Sequence, residues 1–192
     1  MYSYLASIGS LLRSDVDVQD FADSLSTTQY TSKKWLVDVL VKVNPFVNPT
    51  VLIVGGWYGS YLIPMLEEGI SPHLITHTDI NPHTSDIAKH LHGSRSRCTF
   101  HVLDADNPEE TFKADILINT SCEHMHTIGE SAVHSPGCLY VLQSCDNPND
   151  PGHINVPTST DQFVVSTGLT HILFRGRLNL GHKNRFMVIG YK

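Results

Sequence analysis

The chain has 192 residues, 41% hydrophobic and 17% charged, with a formal net charge of -6. That apolar content excludes intrinsic disorder, and the acidic balance argues against extended nucleic-acid binding, which needs clustered Lys and Arg to displace counterions. No apolar run approaches the roughly 18 residues of a membrane span, so no membrane partner is expected. The four cysteines, Cys98, Cys122, Cys138 and Cys145, contain no Cys-x-x-Cys pair, which signals neither a zinc ribbon nor a disulfide scaffold and makes a reducing, cytoplasmic setting the default. The N-terminus lacks the early positive charge and small-residue cleavage site of a signal peptide and is expected to fold with the rest.

In chain order, residues 2–12 and 16–25 carry apolar positions at three- and four-residue spacing, which predicts two helices, the second capped by Ser14 or Asp15. A stronger pattern runs from Thr31 to Val43: Trp35, Leu36, Val39, Leu40 and Val43 share one face, and Asn44-Pro45 ends the helix. Residues 1–47 are read as a helical N-terminal extension and 48–192 as the main domain. From there, short apolar strands near 50–54, 73–78, 98–103, 114–119 and 137–143 alternate with helices expected at 59–68, 83–91, 107–112 and 124–134. This is the mark of an α/β domain with a parallel sheet. The last two strand-like runs, 171–178 and 185–191, are joined too closely for anything but antiparallel pairing.

Three strand ends carry recognisable chemistry. Val51-Leu-Ile-Val runs into Gly55-Gly56-Trp57-Tyr58-Gly59, where glycines let a ligand approach the backbone before a helix starts. The next strand ends on Asp79, placed to grip ribose hydroxyls, although Asp79-Ile80-Asn81-Pro82 also suits a simple turn. The third ends on Asp104-Ala105-Asp106, where a carboxylate can accept from the exocyclic amine of adenine or merely sit in a solvated turn.

This ordered set resembles the class I methyltransferases dependent on S-adenosylmethionine (SAM). The resemblance covers roughly residues 48–192 and implies a Rossmann-like, seven-stranded, mostly parallel sheet in the order 3-2-1-4-5-7-6 with a terminal antiparallel hairpin. It implies SAM as cofactor, bound by Gly55, Gly56, Trp57, Gly59, Asp79, Ile80, Asp104, Ala105 and Asn119. Ile53 stands where the family has an acid and Trp57 where it has a glycine, so another group must hold the methionine end. The Gln29-Tyr30-Thr31-Ser32-Lys33 segment is a candidate.

After the fourth strand, polar residues crowd from Asn119 to His126. Asn119 could orient an acceptor atom, and Glu123 or His124 could remove its proton; equally, Glu123-His124 could only start the next helix. The Asn- or Asp-Pro-Pro-aromatic motif of base methyltransferases is absent, which favours a small-molecule acceptor. Cys122, His124 and His126 offer metal-ligand chemistry, but their alternate spacing does not suit the helix expected there, and no metal is expected. The stretch Gln143–Pro148 with His153 and Asn155 reads as a substrate rim or a plain surface loop. Rival readings are a nicotinamide-dependent oxidoreductase, a non-catalytic SAM-binding scaffold, and an enzyme that uses SAM for another group transfer.

Overall fold

The computed structural model describes residues 2–12, 16–95 and 97–192. Ser14 and Asp15, expected as helix caps, lie outside them. Three helices, α1 (Tyr2–Leu11), α2 (Val18–Ser24) and α3 (Thr27–Val43), precede the sheet. Asp17 caps α2 by accepting from the amides of Gln19 and Asp20, and the Ser26 hydroxyl caps α3, filling acceptor roles that a helix start leaves open.

The alternating part comprises β1 (Thr50–Val54), α4 (Leu62–Ile70), β2 (Leu74–Asp79), α5 (Pro82–His92), β3 (Cys98–Val102), β4 (Ile116–Asn119) and β5 (Leu139–Cys145). It is followed by α6 (Thr160–Thr167), β6 (His171–Asn179) and β7 (Asn184–Tyr191). The seven strands lie in the order β3-β2-β1-β4-β5-β7-β6. The first five are parallel, and β7 runs antiparallel to both β5 and β6. Strand order and terminal hairpin agree with the expected architecture.

The period-two geometry of β1 divides the core. Val51 and Ile53 pack with Leu36 and Leu40 of α3 and Ile63 and Leu66 of α4 on one face, while Leu52 and Val54 meet Leu117, Leu142, Phe163 and Phe186 on the other. With both faces covered, β1 is apolar at every buried position, as a central parallel strand requires. Helix α3 therefore belongs to the core of the sheet domain. Among the described residues no helix is long and apolar enough to cross a membrane.

Two expected helices are absent and one was not anticipated. Residues 107–112 form no helix, and Phe112 makes an isolated parallel bridge to Val133. The segment 124–134 is a loop with 3-10 turns at Cys122–His124 and Glu130–Ala132. It cannot coil as one helix because the Asp106 carboxylate takes the amides of His126 and Thr127 at 2.9 and 2.8 Å, and Gly129 turns at φ +83°. Helix α6 is fixed by the Ser159 cap, the left-handed Gly168 and the buried Phe163.

Candidate functional site

The carboxyl ends of the parallel strands open into one cavity of about 640 Å³, the place where open α/β sheets bind ligands. Gly55, Gly56, Trp57, Gly59, Asp79, Ile80, Asp104, Ala105, Glu123 and His124 all line it; Asn119 does not.

The glycine turn is tightly determined. Gly55, Trp57 and Gly59 have φ of +58°, +52° and +63°, and a side chain on Gly56 would place Cβ 2.3 Å from Nε2 of the buried His77 beneath it. Trp57 is the one non-glycine in this left-handed stretch, a conformation maintained only when its surroundings over-determine it. Its amide donates to Oδ2 of Asp79 at 2.9 Å, its indole Nε1 donates to Asp20 at 3.2 Å, and its ring stacks on Tyr58. The Gly56 amide donates to the Thr78 carbonyl. The other Asp79 oxygen accepts from the Asn81 amide at 3.0 Å, so each keeps a second acceptor site toward the cavity. Ile80 follows with an exposed apolar side chain, 64% accessible. Across the edge, Asp104 accepts from the Asp106 amide at 2.9 Å.

The group after β4 sorts differently from expectation. Asn119 is fully buried; its Nδ2 donates to the Ile128 carbonyl at 3.1 Å and its Oδ1 accepts from the Ser121 amide at 2.8 Å. Those bonds shape the loop and occupy the side chain expected in cofactor-binding and catalytic roles, which stands outside the cavity lining. Glu123 is buried and paired with Arg185 at 2.6 Å. Burial alone would raise its carboxyl, but the Arg185 charge holds it below the ordinary range, so Glu123 is a paired carboxylate rather than a free base. His124 is exposed at the cavity, and partial burial of its ring lowers its pKa, keeping it neutral. Cys122 directs its sulfur at the Asn119 carbonyl, and neither Cys122 nor His126 lines the cavity.

Arg185, Asp150 and Lys183 were not singled out by pattern, and His153, read as part of a substrate rim or plain surface loop, joins them at the cavity. Arg185, the second residue of β7, also donates to the Thr120 carbonyl; nothing in a strand-like run announces that a residue near its start reaches back to Glu123. His153 sits against His124 with ring centroids 4.5 Å apart. Asp150 and Lys183, paired at 3.0 Å, complete that wall. In the Gln29–Lys33 segment, Gln29 and Lys33 reach the cavity. Burial first, and the Arg185 charge second, hold the Lys33 ammonium well below the usual lysine range. Ser32 instead donates to Gln143 at 3.0 Å, and Gln143 donates back to the Ser32 carbonyl. Gln143 is thus a buried clamp between α3 and β5, not a substrate rim.

No family model matches the sequence, and no curated protein matches it. Solved structures do. Magnesium protoporphyrin IX methyltransferase (ChlM) from Synechocystis PCC 6803, crystallised with SAM, superposes with a TM-score of 0.63 at 16% identity over 92% of this chain and 86% of that one. The fold is that of the class I methyltransferases. Coclaurine N-methyltransferase, bound to N-methylheliamine and S-adenosylhomocysteine, gives 0.60 at 14% identity over 77% of this chain and 51% of that one. The [4+2]-cyclase SpnF gives 0.64 at 14% identity over 84% and 81%. A cyclase among these neighbours means that shared architecture does not by itself select the reaction, which must be argued from the site.

Proposed function

We propose that the chain is an enzyme that binds SAM and transfers its methyl group to a small-molecule acceptor. One observation carries this: the glycine turn, Asp79 and Asp104, contributed by three strand ends, line a single cavity. The donor set suits a nucleoside. Asp79 offers two acceptor oxygens to ribose hydroxyls, Asp104 a carboxylate to an exocyclic amine, and Ile80 an exposed apolar side chain for a base to cover. Gln29 and Lys33 stand in the same cavity as candidates for the amino-acid end, where the family's usual acid is replaced by Ile53. When bound, SAM supplies an electrophilic methyl on a positively charged sulfur. The protein's part is mainly alignment of donor and acceptor, with the neutral His124 available to an acceptor proton and the Glu123–Arg185 pair holding the wall behind it.

Calorimetric titration tests the reading. SAM and its demethylated product should bind and stabilise the fold, by about 2.7 kcal/mol at a hundredfold excess over Kd, and NAD should not. Binding of NAD without binding of SAM would overturn it in favour of the oxidoreductase.

A further inference from the structure

We propose that Glu123, His124 and His153 form a binding site for one divalent first-row transition ion at the acceptor end of the cavity. One ligand atom from each residue lies within 4.8 Å of the other two. Two imidazoles and one carboxylate on one side of an open space is a donor set that suits Mn²⁺, Fe²⁺, Co²⁺ or Zn²⁺ rather than Mg²⁺ or Ca²⁺, which take oxygen ligands.

Two features independent of that proximity point to a cation. The first is Glu123. Arg185 occupies one carboxylate oxygen, while the other, Oε2, is buried with no hydrogen-bond partner. A buried carboxylate oxygen is normally satisfied, and leaving it bare is unfavourable; a metal ion on the cavity side would satisfy it. The second is His153, whose side chain is only 4% accessible. Its Nδ1 lies 2.5 Å from the Asn147 carbonyl. A carbonyl can only accept, so Nδ1 carries a proton and Nε2 is the nitrogen that can present a lone pair. This is the arrangement that orients ligating histidines, with one ring nitrogen donating to a backbone carbonyl and the other left for the metal. His124 stands edge-on to the His153 ring and close against Gly152, where an added Cβ would lie 3.4 Å from its Nδ1.

The loop that brings His153 is fastened to the loop that carries the other two residues. The amides of Ile154 and Asn155 both donate to the Glu123 carbonyl, at 2.8 and 3.1 Å, so the triad is assembled by backbone bonds. Ligand atoms about 2.1 Å from an ion stand roughly 3 to 3.5 Å apart, a contraction that the exposed His124 ring can supply by turning. Arg185 and Lys33 oppose a cation here. Lys183 is neutralised by Asp150, whose Oδ2 lies 3.9 Å from His153 Nε2, so that pair adds no net charge beside the site. The opposing charges predict an affinity below that of an isolated triad. If the methyl-transfer reading holds, on which this last step rests, the ion's open positions would hold an oxygen of the acceptor and favour its deprotonated form, the proton leaving to water while His124 serves as a ligand in place of the base it would be without the ion; oxygen acceptors are therefore the class to screen first.

The test is an Mn²⁺ titration of the tag-free full chain, after chelator treatment, read by loss of the free-ion electron paramagnetic resonance signal. One ion per chain is expected, with binding weakened at least tenfold in His124→Ala and in His153→Ala, and with Ca²⁺ at equal concentration displacing little. His124 is exposed, so that variant decides the matter if His153→Ala fails to fold. No Mn²⁺ binding at millimolar ion, or equal binding by folded His124→Ala, overturns the proposal and leaves the cluster as a polar wall. SAM calorimetry on the same metal-free sample separates the two ideas: failure of SAM to bind while Mn²⁺ binds sinks the methyl-transfer reading and leaves the metal site standing.

Discussion

The amide of Trp57 donates to Oδ2 of Asp79 at 2.9 Å, so the carboxylate that closes β2 also fixes the strained turn that follows β1. Removing it would undo two parts of the site together. Asp79→Ala should weaken SAM binding roughly ten- to hundredfold, from the loss of about 1.5 to 3 kcal/mol of charge-assisted hydrogen bonding. Asp79→Asn, which keeps one carbonyl acceptor, should lose less. Calorimetry on both checks this; unchanged affinity in a folded Asp79→Ala would confine Asp79 to holding the turn.

Gly56 depends on space rather than on an unusual φ. A Cβ there would stand 2.3 Å from Nε2 and 2.7 Å from Cδ2 of His77, whose ring is fully buried and has no room to retreat. Gly56→Ala should destabilise by about 1 to 3 kcal/mol, the usual range for overpacking, and displace the turn from Asp79. Because the conflict is pairwise, Gly56→Ala with His77→Ala should be less destabilised than the sum of the two single variants. Strict additivity in urea unfolding would refute this account.

Much of this organisation was legible before the structure because it rests on short-range rules. Apolar runs bounded by Gly or Pro marked the strands, and Gly55, Asp79 and Asp104 marked three strand ends that topology then gathered around one cavity. What was not legible depends on distant partners. The helix expected at 124–134 is prevented by Asp106, whose carboxylate captures two amides in that segment. Glu123 meets Arg185 across 62 residues of sequence, and His153 meets His124 only because the loop after β5 folds back. No local period encodes either meeting.

Buried histidines should make the protein acid-sensitive. Burial first, and the neighbouring Arg95 charge second, lower His92 from 6.5 to about 3, and burial lowers His77 as well. A histidine whose folded pKa is depressed binds its proton more readily in the unfolded chain. The His92 contribution is therefore intact above pH 6.5 and declines as the pH falls from there toward 3, by on the order of 1.4 kcal/mol per pH unit, and the lowered His77 adds a loss of the same sign. Urea unfolding at pH 7.5, 6 and 5 measures the slope, and His92→Gln should flatten it. A slope unchanged by that substitution would place the acid sensitivity elsewhere.

Arg185 and Glu123 should behave as a buried pair, in which breaking is worse than replacing. Arg185→Met leaves Glu123 buried and unpaired, a loss of about 3 to 5 kcal/mol, whereas Arg185→Met with Glu123→Leu should recover most of it. For a domain of this size each kcal/mol corresponds to roughly 2 to 4 °C in melting temperature, so the single variant should melt well below the double. If the two melt alike, the pair contributes nothing beyond its separate side chains.

Lys33 provides the sharpest test of how the site replaces the acid missing from β1. It lines the cavity and makes no hydrogen bond or ion pair among the described residues, and burial with the nearby Arg185 charge depresses its pKa. A ligand carboxylate would restore the partner it lacks. Lys33→Met should therefore weaken SAM about tenfold or more, in line with a charged hydrogen bond of roughly 1.5 to 3 kcal/mol. Methylthioadenosine, which keeps the nucleoside but lacks the amino-acid carboxylate, should bind the variant and the parent alike. The pH dependence has a definite sign: the depressed ammonium deprotonates earlier than an ordinary lysine, so SAM affinity should fall more steeply in the parent than in Lys33→Met as the pH rises into the alkaline range. Equal losses for SAM and methylthioadenosine would mean that the substitution disturbs the cavity as a whole, and the carboxylate would then have to be held by Gln29.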